Sequence, residues 1–259
     1  MDNRKVSFPH LGNYYIPIHY LLNKLINIKV VPAPPITKKT LELGSKYSPD
    51  FVCLPFKYNL GNFIEALNQG ANILIQAGGG CRYGYYAEVQ ETILKSLGYD
   101  FEFYHLVNTD KFTVKHLYHT FKKLNPKLSF IKFSYYTLLT LLMINYMDNI
   151  DDYIRKNIGF EVYKDSFKNL QKRMLKDFTN CNTFTNLTWK YFKYKKKFKN
   201  LKINKPKNCL KVGVIGELYT SMEEFSSYFL EKELAKMNIE VKRFTNVTYL
   251  LIKKKFHTK

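Results

Sequence analysis

Cysteine is scarce, with four residues in a chain of 259. That is too few for a disulfide framework at this length and fits a reducing compartment better. Acidic side chains are few as well: 21 Asp and Glu stand against 41 Lys and Arg, a formal charge of +20. Such an excess points to anionic partners in general, nucleic acid, membrane surface or phosphorylated ligands among them. Lys, Asn, Ile, Tyr and Phe are all abundant, however, as an AT-rich coding sequence would make them, so the charge carries little functional weight by itself. Long apolar runs are missing. The longest, Tyr136–Tyr146, falls well short of the roughly 20 residues of a membrane span. A charged-then-apolar leader is missing too, because His10, Asn13 and His19 interrupt the N-terminal stretch. No repeat of solenoid period is found. These absences give the expectation of a soluble, cytoplasmic protein that does not engage a membrane.

What is present is ordinary globular material. Hydrophobic residues make up 46% of the chain, so disorder is not the default. The length allows a sizeable core in one or two domains. Lys5–Pro9 reads as a strand, Tyr15–Ile26 as a helix and Lys29–Pro32 as a second strand. Thr37–Gly44 reads as a short helix stopped by Gly44. Two strand-loop-helix units are then expected. Phe51–Lys57 leads into a helix from Leu60, and Ile73–Tyr86 leads into a helix over Ala87–Leu97. Asp100–Tyr104 is the next strand. From Asp110 the strand signals stop, and helices are predicted over Phe112–Leu124, Ser129–Met147, Tyr153–Ile158 and Phe160–Phe178. Lys190–Lys202 is densely basic and aromatic, and residues 204–208 read as a linker. Cys209–Gly216 and Ile239–Phe244 are strands around a predicted helix, Met222–Met237. The fold class is α/β: a Rossmann-like parallel-sheet N-terminal lobe over 1–108, a helical basic segment over 109–205, and the start of a second, incomplete α/β lobe over 206–259.

The chemistry-bearing residues cluster after the expected strands. Cys53 and Cys81 each follow an apolar run and precede a helix signal, which would put both at the carboxyl edge of a parallel sheet. Open α/β sheets place their ligands at that edge. Gly78, Gly79 and Gly80 let the backbone come close to a ligand and offer N–H donors to sulfide or thiolate, and Arg82 follows them. Cluster iron takes thiolates, often four. Cys181, in a polar turn, and Cys209, at the start of a strand, lack such a setting and are left out. The glycine run could instead cradle phosphate, but it lacks the Lys-Ser/Thr of a P-loop and the spacing of a dinucleotide fingerprint. Gly213-Val214-Ile215-Gly216-Glu217 is likewise incomplete. His116 and His119 share a helix face without a third metal ligand. Glu65 and Glu88 suit the first turns of helices. Trp189–Lys197 mixes rings and cations as single-strand nucleic-acid binders do, but a solvated helix face in a lysine-rich chain is the favoured explanation, and nucleic acid is not the expected partner.

Several segments together carry a resemblance. Phe8–Tyr14, Pro34–Thr37, Leu43–Pro49, Cys53-Leu54-Pro55-Phe56-Lys57 and Gln76–Tyr86 are similar to the activase-associated branch of the 2-hydroxyacyl-CoA dehydratase superfamily, often labelled CoA protein activase. Val212–Glu217 resembles the start of that family's second lobe. The likeness is close across Val6–Leu106 and looser through the helical middle. It implies an iron–sulfur cluster, [4Fe-4S] or larger, between two Rossmann-like lobes, with Cys53 and Cys81 as ligands, Gly78–Gly80 shaping the pocket and Arg82 facing it. It further implies an ATP-dependent activase as one-electron donor and an acyl-CoA substrate, the chemistry of a lyase or of a reductase component. Family members carry a further cysteine beyond the point where this chain stops. The sequence therefore reads as a truncated or split member whose cluster site a second subunit would complete. A non-catalytic remnant or interaction subunit without a cluster, and a basic nucleic-acid-binding protein, stay open as alternatives.

Overall fold

Four short strands set the first unit, and their alternation sets its layers. The computed structural model describes residues 3–77, 85–106 and 113–250, and the chain divides into two compact units, Met1–Thr137 and Leu138–Lys259. In the first, β1 (Lys5–Ser7) leads through α1 (Tyr15–Leu25) to β2 (Lys29–Val30). Two helices, α2 (Lys38–Tyr47) and α3 (Leu54–Asn68), lead on to β3 (Ile73–Gln76), and α4 (Tyr86–Ser96) leads to β4 (Glu102–His105). All four strands are parallel, in the order β2-β1-β3-β4. The fold class is the α/β arrangement expected. After β2 the chain crosses back past β1 to build β3, so the order reverses between β1 and β3, where such sheets bind ligands at their carboxyl ends.

Each face of the sheet has its own core. Val6, Ile73 and Ile75 pack with Leu22 and Leu25 of α1, with Phe121 and Leu124 of α5 (Val114–Leu124), and with Phe133 at the start of α6 (Phe130–Asn157). Leu74 points the other way, onto Phe56, Leu60 and Phe63 of α3 and Leu94 of α4. The period of two in the strand thus sorts its side chains between two helical layers.

The first expected strand-loop-helix unit is replaced by a helical pair. Residues 49–52 form a turn, Phe51 is exposed, and α3 begins at Leu54 with Pro55 in its first turn. Proline is tolerated there because that N–H has no helical partner anyway. Gly44 does not stop α2, which continues to Tyr47. Its role is contact: a Cβ at Gly44 would overlap the Lys57 carbonyl oxygen, and one at Gly61 would overlap the Thr40 carbonyl. The two helices therefore approach backbone to backbone. Thr37 and Thr40 form a reciprocal cap at the start of α2, and Thr40 Oγ1 donates to Glu65 Oε2 at 2.8 Å.

In the second unit α6 runs on unbroken where two helices were expected. A 3-10 turn (Ile158–Phe160) follows, then α7 (Ser166–Thr179) and α8 (Phe184–Lys199), a helical hairpin. Its core includes Met143, Met147, Phe167, Phe178, Leu187 and Phe198. The Tyr146 and Tyr191 rings stack at 4.0 Å. The parallel pair β5 (Lys211–Val214) and β6 (Glu240–Arg243) is joined through α9 (Leu218–Met222) and α10 (Leu230–Lys236). Of the single helix expected over Met222–Met237 only Leu230–Lys236 forms beyond the end of α9; residues 224–229 are turns, and Tyr228 and Phe229 adopt left-handed backbone at φ 53° and 56°. No helix among the described residues is long and apolar enough to cross a membrane.

Candidate functional site

Because α3 runs antiparallel to the strand it feeds, its N-terminus lies at the carboxyl edge of the sheet. Cys53 is the N-cap of α3, in extended backbone, and its side chain is not used as a cap. It is exposed. Tyr86, the first residue of α4, donates its hydroxyl to Cys53 Sγ at 3.3 Å. The Tyr86 ring meets Phe56 edge-on at 4.7 Å between centroids. Gln90, one turn along α4, donates Nε2 to the Phe56 carbonyl at 3.2 Å. The starts of α3 and α4 are thus tied together around the thiol. Cys53 reaches this edge as the cap of a helix, although no strand precedes it. Cys81, Gly78, Gly79, Gly80 and Arg82 lie outside the described residues.

At its carboxyl edge the sheet carries a row of polar side chains that the sequence reading missed. Ser7, Gln76 and His105 end β1, β3 and β4. Ser7 pairs with Leu74 and His105 with Gln76, so all three share the face that α3 and α4 cover. Ser7 and Gln76 are fully buried, and among the described residues neither the Ser7 hydroxyl nor either polar atom of the Gln76 amide has a hydrogen-bond partner. Buried polar groups are normally paired, and an orphan costs about 1–3 kcal/mol. The signal was legible in principle: Gln76 closes an otherwise apolar run, in phase with Leu74. On the neighbouring loop the His10 N–H donates to Asn62 Oδ1 at 2.7 Å, and Asn62 donates to the Pro34 carbonyl at 2.8 Å.

His105 stands between two carboxylates of α4, with Nδ1 at 3.5 Å from Glu88 and Nε2 at 3.4 Å from Glu91. Burial alone would raise the Glu91 carboxyl, but the Lys95 and His105 hydrogen bonds outweigh it and hold the group below the usual range. The carboxylates lie on opposite edges of the ring, an arrangement that clamps β4 to α4. His116 is spent on the His105 carbonyl, at 3.3 Å from Nε2, and the ring of His119 lies against Tyr118. Glu65 binds Thr40, as described. The other two described thiols are elsewhere: Cys181 is buried and donates to the Asp177 carbonyl at 3.4 Å, and Cys209 faces Glu240 at 3.8 Å. Burial pushes the Cys181 thiol up, away from the thiolate a metal needs. After β5 the Glu217 carboxylate itself accepts the N–H groups of Tyr219 and Thr220, so that helix start is filled by its own anion.

Among the described residues no group of three or more His, Cys, Asp or Glu side chains could hold a metal ion. Within the site, Cys53 supplies one soft, accessible donor. A scan against protein-family models finds no match to this sequence, and a search of curated proteins finds none either.

Proposed function

We propose that the chain is an iron–sulfur redox component whose cluster is held at the carboxyl edge of the first unit's sheet. The observation that carries this reading is the setting of Cys53. Cys53, the N-cap residue of α3, exposes a thiol that accepts a hydrogen bond from the first residue of α4, and Cys81 lies five residues before that residue in sequence. The donor chemistry fits: cluster iron takes thiolates, and the N-terminal end of α3 is the positive end of its dipole. Cys53 and Cys81 would hold the group, with Gly78–Gly80 and Arg82 around it. Two thiolates are fewer than the four such clusters usually take, so a second subunit would complete the set. When bound, the group supplies one-electron transfer, which suits an ATP-dependent activase as donor and an acyl-CoA as substrate. In that setting the chain's own residues position and shield. The Tyr86 hydroxyl orients the Cys53 sulfur, and Phe56 with Tyr86 walls one side of it.

Anaerobic reconstitution with ferrous iron and sulfide tests the reading. Broad visible absorption and bound iron are expected, both lost in Cys53→Ser/Cys81→Ser with the circular dichroism spectrum unchanged. A wild-type chain that takes up no iron overturns the proposal.

A further inference from the structure

The core side of α8 is complete without its tryptophan. Leu187, Tyr191, Tyr194 and Phe198 are buried at spacings of four, three and four, the stripe of a helix packed on one side. Trp189 and Phe192 fall outside that stripe and are 61% and 59% exposed. Helical geometry places Trp189, Phe192, Lys193 and Lys196 along one outer strip, with Lys195 and Lys199 on the flank next to Phe192. Lys193 Nζ sits 4.7 Å from the centre of the Trp189 ring. On that flank a groove of about 440 Å³ opens between α6 and α8, lined among others by Lys195, Lys199, Tyr153 and Lys156, the last paired with Asp152, which also lines it.

The surroundings are predominantly cationic. Residues 161–211 hold fifteen Lys and Arg against three Asp and Glu. Two of those acids are already engaged. Glu161 accepts from the Asp165 and Phe167 N–H groups, and Asp177 accepts the Tyr194 hydroxyl at 2.6 Å. On α8, Lys190 donates to the Asp177 carbonyl at 2.8 Å, and the other five lysines are exposed.

We propose that the outer face of α8 binds single-stranded nucleic acid, with bases stacking on Trp189 and Phe192 and phosphates paired with Lys193, Lys196 and Lys199. Stacking needs base faces that a duplex hides, and rings interleaved with cations are what single-strand binders use. A membrane-binding helix separates its apolar and charged faces. Here the exposed rings and lysines share one strip, and the apolar face is turned to the core. This inference is independent of the thiol site.

Trp189 is the chain's one tryptophan, so its fluorescence reports on this face alone. At 50 mM NaCl, a 20-nucleotide oligothymidine is expected to quench it, while the fluorescein-labelled oligomer gains anisotropy on titration with protein. Replacing both rings in Trp189→Leu/Phe192→Leu is expected to weaken binding at least about tenfold, since each stacked base contributes about 1–3 kcal/mol. Three phosphate contacts predict a log–log salt slope of about −2, which Lys193→Gln/Lys196→Gln/Lys199→Gln should bring towards zero. The positions are exposed, and circular dichroism checks that each variant stays folded. No quenching, or oligomer binding unchanged in the ring variant, overturns the proposal. So does heparin binding as tightly as the oligomer with the same indifference to the rings, which would mean a generic polyanion surface. Tighter binding to phosphatidylserine vesicles with a blue-shifted Trp189 spectrum would assign the face to membrane instead.

Discussion

Asp151 lies on α6, where its Oδ1 accepts a hydrogen bond from Gln171 Nε2 at 2.7 Å. Burial pushes its carboxyl up to about 6, against the opposing pull of Arg155 and Gln171, and Asp148 adds to the rise. The sign of the consequence follows from proton counting. In the unfolded chain the group titrates near 4, so between about pH 4 and pH 6 the folded state holds the proton more often. Stability carried by this group is therefore present below pH 4, falls as pH rises to 6, and is flat above. The loss amounts to a few kcal/mol at most, at about 1.4 kcal/mol per pH unit. Asp151→Asn keeps an acceptor for Gln171 and cannot ionise. Urea unfolding from pH 4 to pH 8 should show the variant gaining on the wild type across pH 4–6 and holding that margin above. Parallel curves would mean that burial does not govern this carboxyl. Gln76 belongs to the same scale. An uncharged buried group carries no pH signature, and what it shows is a buried amide with no hydrogen-bond partner among the described residues.

The helices α2 and α3 reverse a rule that holds for isolated helices. Gly→Ala within a helix ordinarily stabilises by about 1 kcal/mol. At Gly44 or Gly61 the added methyl would meet the partner helix's backbone, which cannot move aside as a side chain would. Either substitution should therefore destabilise, by about 2 kcal/mol or more, as overpacking does. Denaturant midpoints read this directly, and a gain in either variant would show that the pair can separate without loss. The same pair marks the limit of sequence reading. Short apolar or aromatic runs marked β1, β3 and β4, and the apolar spacing of α1 and α4 was equally plain, whereas the stretch that forms α8 showed only its bases and rings. Phe51-Val52-Cys53-Leu54 has the composition of a buried strand, yet Pro55 two residues into a helix serves as well as Pro55 ending a strand. Local pattern could not separate the two. Gly44 read as a stop because its contact is tertiary and invisible in one strand of sequence. The break at Tyr228 and Phe229 carries no glycine or asparagine to announce left-handed backbone. At the site, the strand expected before Cys53 pointed to the carboxyl edge; that strand is absent, and Cys53 lies there as the N-cap of α3. The buried row of Ser7 and Gln76 and the clamp on His105 depend on strand register, which no single segment encodes.

Charge of one sign is the property of the whole molecule, and it sets the response to salt. The chain carries +20, and α8 alone has six lysines between Lys190 and Lys199. Lysines three or four apart on that helix repel, each pair by a few tenths of a kcal/mol. Opposing this are pairs such as Lys38–Glu42, Lys95–Glu91 and Lys236–Glu233, all with exposed lysines. Exposed pairs contribute about 0–1 kcal/mol and are themselves screened. Cations outnumber carboxylates by 41 to 21, so added salt relieves more repulsion than it removes attraction. The Debye length shrinks from about 30 Å at 0.01 M to about 8 Å at 0.15 M, and most of the relief should come within that range. Thermal melts in 10, 50, 150 and 300 mM NaCl at one pH should show the midpoint rising by about 2–6 °C and then levelling. Sodium fluoride should give the same curve if screening is the cause, because screening depends on ionic strength and not on the anion. A midpoint that falls with salt would mean that the ion pairs outweigh the lysine field. A rise confined to one anion would mean a bound ion, and α8 would be the first place to look for it.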